Sequence, residues 1–323
     1  MISFRPKMFE ESAESKAPKG FWLNFLIFIL VFLIGALLES IIPSILAIRE
    51  LVTTLMESDT FVNGSLEQRM QESMQLTTEV MLGNNTIMIS SLLCTVFATL
   101  TAIIYCRFIE KRSLGSMGFR ARKAGKHYLQ GVAVGFIMIS LVSLLPVVFG
   151  VRSLKVVSDF NIGTIGIYLC GFLLQGMSEE TICRGYFMNT LGGKSNPAVA
   201  IAASSIMFGI AHGMNPGFGW FPLFNLVLFG VFAAVYIIAF DDIWGACAIH
   251  SIWNFAQGNI YGLSVSGAYK VDSFLQADPV STEPLLTGGD FGVEGSIFTT
   301  IVLAAGIIVL LIKMKRDQSR AKA

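Results

Sequence analysis

The sequence predicts an all-α, polytopic membrane protein with about eight transmembrane helices. The chain of 323 residues is 54% hydrophobic and only 14% charged, well below the roughly 25% charged residues of an average soluble domain. Its apolar residues come in stretches near the ~20 residues that a helix needs to cross a bilayer. The basic residues cluster between and beyond those stretches, as loop residues on one side of a membrane do.

The apolar stretches run over about 21–46, 86–108, 127–151, 161–191, 196–214, 222–240, 243–260 and 295–313. The first is longer than a signal-peptide core and lacks a small-residue cleavage site, so it is read as a retained span. The fourth is long because charged residues lie inside it. It ends at Gly192-Gly193-Lys194-Ser195-Asn196-Pro197, a helix stop followed by a new start. The seventh is short and polar and is expected to be buried among the other helices.

Arg5, Lys7, Lys16 and Lys19 precede the first span. Arg107, Lys111, Arg112, Arg120, Arg122, Lys123 and Lys126 lie between the second and third, and Lys313, Lys315, Arg316, Arg320 and Lys322 follow the last. This distribution predicts cytoplasmic termini, in a plasma-membrane protein whose surroundings are the lipid bilayer. The segment 49–85 is acidic and Ser/Thr/Gln-rich, with Leu66, Met70 and Met74 at four-residue spacing, and is expected to carry an amphipathic helix on the outer face. Its sequons Asn63-Gly64-Ser65 and Asn84-Asn85-Thr86 are too short a pattern to carry weight. The acidic, Gly-rich 261–294 segment is read as a second outer loop. The expected organisation is a tail (1–20), accessory helices with the outer loop (21–158), a core (160–260), and a final loop, helix and basic tail (261–323). A net charge of +1 argues against a nucleic-acid partner. The five cysteines are odd in number, form no C-x-x-C pair and are expected to be small buried hydrophobes.

Three polar clusters interrupt the apolar stretches: Glu179-Glu180-Thr181-Ile182-Cys183-Arg184, Phe208-Gly209-Ile210-Ala211-His212, and His250-Ser251-Ile252-Trp253-Asn254. A carboxylate near the bilayer centre costs roughly 2.5–3.5 kcal/mol on insertion scales, so such groups are functional candidates. Counting 1.5 Å per residue from the 192–197 turn puts Glu179 about 20 Å before it and His212 about 22 Å beyond it, at similar depth. His250 and Asn254 share one face of their helix. Glu180 and Arg184 are spaced to pair, which turns Glu179 in another direction.

A carboxylate in a low-dielectric pocket is well suited to take a proton from water and return it to a leaving amine. Glu179 is the candidate base, His212 a partner for the activated water, and His250 with Asn254 a pair of donors for an oxyanion. No G-x-S-x-G elbow or Cys/His nucleophile pattern appears. Zinc stays open, with Glu179, His212 and His250 as its ligands. The contiguous H-E-x-x-H motif is absent and Asn254 suits hydrogen bonding better than metal binding, so the metal-free base is favoured.

Glu-Glu-x-x-x-Arg, Phe-x-x-x-His and His-x-x-x-Asn, in this order on successive apolar stretches, resemble the CAAX prenyl endopeptidase and bacteriocin-processing (CPBP, or Abi) family of intramembrane proteases. All three motifs match without substitution over about residues 160–260, and the Leu114–Phe119 turn is also similar to bacterial members. The resemblance implies that Glu179 is the base, that His212 helps to activate water, that Glu180 and Arg184 organise the site, and that His250 and Asn254 stabilise the oxyanion. Within the family a metalloprotease and a metal-free glutamate mechanism are both argued. The implied partner is a membrane-associated peptide or protein, prenylated or carrying a leader.

Each residue also has a plainer reading. Glu180 and Arg184 suit a structural ion pair, Glu179 a proton relay in a transporter, and His212 and Phe208 packing in a core. Asn254 suits a helix tie, while Asp241, Asp242 and His127 suit interfacial positions. The 213–219 stretch reads equally as a gate or as a helix-ending turn. An intramembrane endopeptidase is the expected function. The alternatives are a transporter, which should show duplicated halves that this sequence lacks, and a non-catalytic immunity or scaffold protein.

Overall fold

Helix covers nearly the whole of the computed structural model, which describes residues 6–267 and 272–322. Arg5 and residues 268–271 of the expected second outer loop lie outside the described residues. A short α1 (Lys7–Ala13) precedes α2 (Phe21–Glu57), α3 (Leu66–Gly83) and α4 (Asn85–Ile109). Next come α5 (Ala124–Val148), strand β1 (Arg152–Val156) and α6 (Ile162–Glu180). The last of these continues through a π-helical stretch, Thr181–Met188, to a final turn at Asn189–Lys194. The chain then forms α7 (Pro197–Ala211), α8 (Trp220–Phe240), α9 (Trp244–Phe255, extended by a π-helical turn at Ala256–Ile260), β2 (Leu275–Pro279) and α10 (Ile297–Lys322).

All eight apolar stretches are therefore helical. Five helices among the described residues (α2, α4, α5, α8 and α10) are long and apolar enough to cross a membrane. The three that hold the polar clusters differ. The α6 helix ends in paired glutamates, α7 has 15 residues and α9 has 12. Most of α9 is buried, as its short, polar sequence required.

The helix starts follow local chemistry. Asn161 caps α6 by accepting from Thr164 N, and Asn196 caps α7 with Pro197 in its first turn, a position that tolerates the missing N–H. Ser65 and Gln68 form a reciprocal capping box on α3. The expected amphipathic helix is present there, but Leu66, Met70 and Met74 are all exposed.

Three expectations are corrected. Residues 49–57, expected in a loop, instead continue α2 to Glu57, because no glycine or proline interrupts them. The fold also contains a two-stranded antiparallel sheet, from Arg152↔Pro279 to Val156↔Leu275. The buried Arg152 side chain ties it to the 284–287 turn by donating to Ala277 O at 2.7 Å and Thr287 O at 2.6 Å. Finally, four cysteines are buried as expected, but Cys170 is exposed on α6.

The α1 helix and the Lys313 turn of α10 both lie at the Phe240–Asp241 end of α8. There α1 buries Met8 and Phe9, and a Cβ on Gly192 would collide with the Phe9 ring. Met8 N donates to Asp241 Oδ1 at 3.3 Å, and Arg120 pairs with Glu11 at 3.0 Å. Asp242 is buried and paired with His127, so neither of these residues is simply interfacial. Arg112, counted with the basic loop residues, is buried as well. It donates to Glu110, Thr190, Gly185 O, Ser116 O and Ser116 Oγ at 2.6–3.2 Å, which uses all five guanidinium donors and clamps the 113–118 turn onto the π-helical stretch. Burial pushes the Glu110 carboxyl up, against the opposing pull of Arg112.

Small residues bring α5, α6 and α9 together. A Cβ on Gly135 would lie 2.7 Å from Ile249 O, and one on Gly176 would lie 2.6 Å from Ser251 N. Both contacts flank His250. Close helix approach of this kind drives association in lipid, where apolar side chains gain little from leaving the tails. Gly135→Val should force α5 off α9 and destabilise the protein by about 1–3 kcal/mol, read as a lowered melting temperature in detergent. Gly125→Ala, which has open space around its Cβ, should leave the melt unchanged or raised.

Candidate active site

Two adjacent glutamates at the end of α6 meet opposite environments. Glu180 faces inward and is fully buried, whereas the Glu179 side chain is 28% exposed. The helix then widens into its π-helical stretch at Thr181, a feature often found at functional sites. Arg184 still reaches back one turn, and its Nη1 donates to Glu180 Oε1 at 3.0 Å. The guanidinium lies 4.5 Å from the Phe208 ring centroid, within cation–π range.

The same Glu180 Oε1 accepts from His250 Nδ1 on α9 at 2.9 Å. One carboxylate oxygen thus holds a cation on its own helix and an imidazole on another. On α7, His212 caps the helix end and its Nδ1 lies 2.8 Å from Phe208 O. A carbonyl only accepts, so His212 Nδ1 carries the hydrogen. Each histidine is therefore pinned through Nδ1, and each turns Nε2 toward Glu179 Oε2, at 3.7 Å for His250 and 4.0 Å for His212. These distances are too long for direct hydrogen bonds. They suit a water bonded to the carboxylate and to an imidazole at once.

The other oxygen of Glu179 is fixed by a residue that the sequence reading did not single out. Gln175 Nε2 donates to Glu179 Oε1 at 2.6 Å, and Gln175 Oε1 accepts from Asn254 Nδ2 at 2.8 Å. His250 and Asn254, expected to offer donors on one face, meet different partners: His250 Nδ1 meets Glu180 and Asn254 Nδ2 meets Gln175. Asn254 supports Gln175, which orients the glutamate. The signal was available, since Gln175 precedes Glu179 by one helical turn inside an apolar run.

A cavity of about 520 Å³ opens onto Glu179 and His212. Its walls come from α2, α4, α6 and α7, and at one end from Asn215 and Ser266. The 213–219 stretch is a turn held from above, with Asn215 Nδ2 donating to Ser266 O at 2.9 Å. Glu294, in turn, accepts from Ser266 N, Ser266 Oγ and Gln257 Nε2. Burial pushes the Glu294 carboxyl up while these donors pull it down.

Zinc would need its ligands about 2.0–2.2 Å away. Among the described residues, no group of three His, Cys, Asp or Glu side chains is gathered to hold an ion. Ligands of a tetrahedral zinc at those bond lengths lie roughly 3.3–3.6 Å from one another, and Glu179 Oε2 stands 3.7 Å and 4.0 Å from the Nε2 atoms of His250 and His212, so the three side chains as placed are spaced slightly too widely to close on an ion. They fit a solvent molecule held between a carboxylate and two oriented imidazoles.

Fold and composition together define an integral membrane protein in which a carboxylate and two histidines from three helices converge beside a cavity. Residues 161–256 match the family model described as type II CAAX prenyl endopeptidase Rce1-like, in agreement with the motif resemblance. The matched segment runs from the cap of α6 to the end of α9 and contains every motif residue, while α2, α4, α5 and α10 lie outside it. No curated protein matches the chain.

Arg184→Met should leave Glu180 buried without its cation and cost about 3–5 kcal/mol, as breaking one side of a buried pair does. Adding Glu180→Gln should recover most of that loss in a detergent melt, because the uncompensated charge is gone. The double variant should still lack whatever activity depends on His250 orientation.

Proposed function

We propose that this chain is an intramembrane endopeptidase that hydrolyses a peptide bond by direct attack of a water activated by Glu179. The convergence of Glu179 Oε2 with two histidine Nε2 atoms, each histidine pinned through its Nδ1, carries this reading. In the first step Glu179 takes one proton from the water while the oxygen attacks the scissile carbonyl. In the second the C–N bond breaks and Glu179 returns the proton to the leaving amine, giving a carboxylate and a free amine with no covalent enzyme intermediate.

The remaining residues position and stabilise. His212 orients the water. His250, with Glu180 behind its Nδ1, can carry a proton on Nε2 toward the oxyanion, since a buried carboxylate stabilises an imidazolium that forms in front of it. Asn254 acts through Gln175 to hold Glu179. Glu180 and Arg184 organise His250. The substrate in this reading is a membrane-associated peptide, prenylated or carrying a leader sequence. Both termini face the cytoplasm of a plasma-membrane protein, with the basic end of the bundle inside.

Glu179→Gln preserves shape and removes the base. Cells lacking the protein and carrying either the wild type or Glu179→Gln at equal abundance should differ in their membrane and secreted N-terminal peptide profiles. At least one product should fall by about 100-fold or more, the scale of a lost general base. Identical profiles, with Glu179→Gln fully rescuing the null phenotype, would instead support a scaffold.

A further inference from the structure

The α2 helix lies outside the family-matched segment, yet it brings a further carboxylate to the cavity. Glu39, Ser40 and Pro43 line the same space as Glu179 and His212. Glu39 sits between Leu38 and Ile41 in the first apolar stretch, where a carboxylate is costly without a use. It makes no hydrogen bond or ion pair with any described residue, and the charge it faces is that of Glu179. Pro43 also has no N–H to offer the Glu39 carbonyl four residues back.

Charge in the site is not balanced. Arg184 is committed to Glu180, and the cavity lining holds Glu39 and Glu179 but no lysine or arginine. A cationic group entering this space would find complementary charge, whereas the free carboxylate of a C-terminal tripeptide would meet repulsion from both glutamates. We infer that Glu39 forms a cation-accepting subsite, so that the preferred peptide carries a Lys or Arg side chain close to the bond attacked by the Glu179-activated water. The substrate role rests on the protease reading; the binding role can be measured without it.

The test uses the full-length protein in nanodiscs and N-acetylated, C-amidated hydrophobic peptides that differ at one central position: lysine, norleucine or glutamate. Binding is measured in the Glu179→Gln variant, where turnover is blocked and Glu39 is the remaining unpaired carboxylate. The lysine peptide should bind about tenfold more tightly than the norleucine peptide, and the glutamate peptide more weakly than either. Adding Glu39→Gln should shrink the lysine preference to within about twofold, while Glu39→Asp, which keeps the charge, should retain most of it and shows that position 39 tolerates change. A norleucine peptide with a free N-terminus separates an α-ammonium from a side-chain cation: tight binding of that peptide alone would overturn the side-chain assignment. Equal binding of lysine and norleucine peptides, or a preference that survives Glu39→Gln, would overturn the subsite. Failure of the wild type to cleave any of these peptides bears on the protease reading and leaves the binding result standing.

Discussion

Everything in the site depends on a single buried oxygen, Glu180 Oε1, shared by Arg184 at 3.0 Å and His250 at 2.9 Å. A carboxylate with no solvent exposure, inside a helix bundle, is tolerable only when its charge is matched. Arg184 supplies the charge. Phe208 provides the surface on which Arg184 rests, and its carbonyl fixes His212. One connected set of contacts thereby joins α6, α7 and α9 and sets the direction of both imidazoles. Glu179, its neighbour in sequence, is excluded from that set by the rotation of the helix, and its Oε2 lies toward the two Nε2 atoms without a hydrogen-bond partner among the described residues.

Helix geometry around the pair serves the same end. The α9 helix is too short to cross a bilayer on its own and too polar to face lipid, so it must be enclosed. Gly131 and Gly135 of α5 and Gly176 of α6 let it approach until backbone touches side chain. The helices outside the family-matched segment close the remaining side. With α2 and α4 in place, Glu179 and His212 open into a bounded cavity with a polarity of its own, and the character of that cavity belongs as much to Glu39 and Ser40 as to the motif residues.

Much of this was legible in the sequence, for identifiable reasons. A charge inside an apolar run stands out against the cost of burying it, and three such clusters at compatible depths pointed to one site. The i, i+4 spacing foretold the Glu180–Arg184 pair. The capping residues Asn161 and Asn196 marked where two helices begin. What escaped depended on contacts between segments distant in the chain. The β1–β2 pairing links residues more than a hundred positions apart, across α6 to α9, and nothing local to either strand announces its partner. Asn254 could be placed on a helix face, but only the meeting of α6 and α9 shows that its amide supports Gln175. Glu39 also interrupts an apolar run, but no second polar cluster accompanies it along α2 to mark a site.

The central claim is that Glu179, His212 and His250 hold a water and not a metal at the reacting position. Diffraction from crystals of the wild-type protein, recorded on both sides of the zinc absorption edge, tests it most directly. The account predicts an oxygen-sized peak within hydrogen-bonding distance of Glu179 Oε2 and a histidine Nε2, with no anomalous signal. An anomalous peak about 2.0–2.2 Å from the carboxylate and both imidazoles would contradict it and make the site a zinc centre.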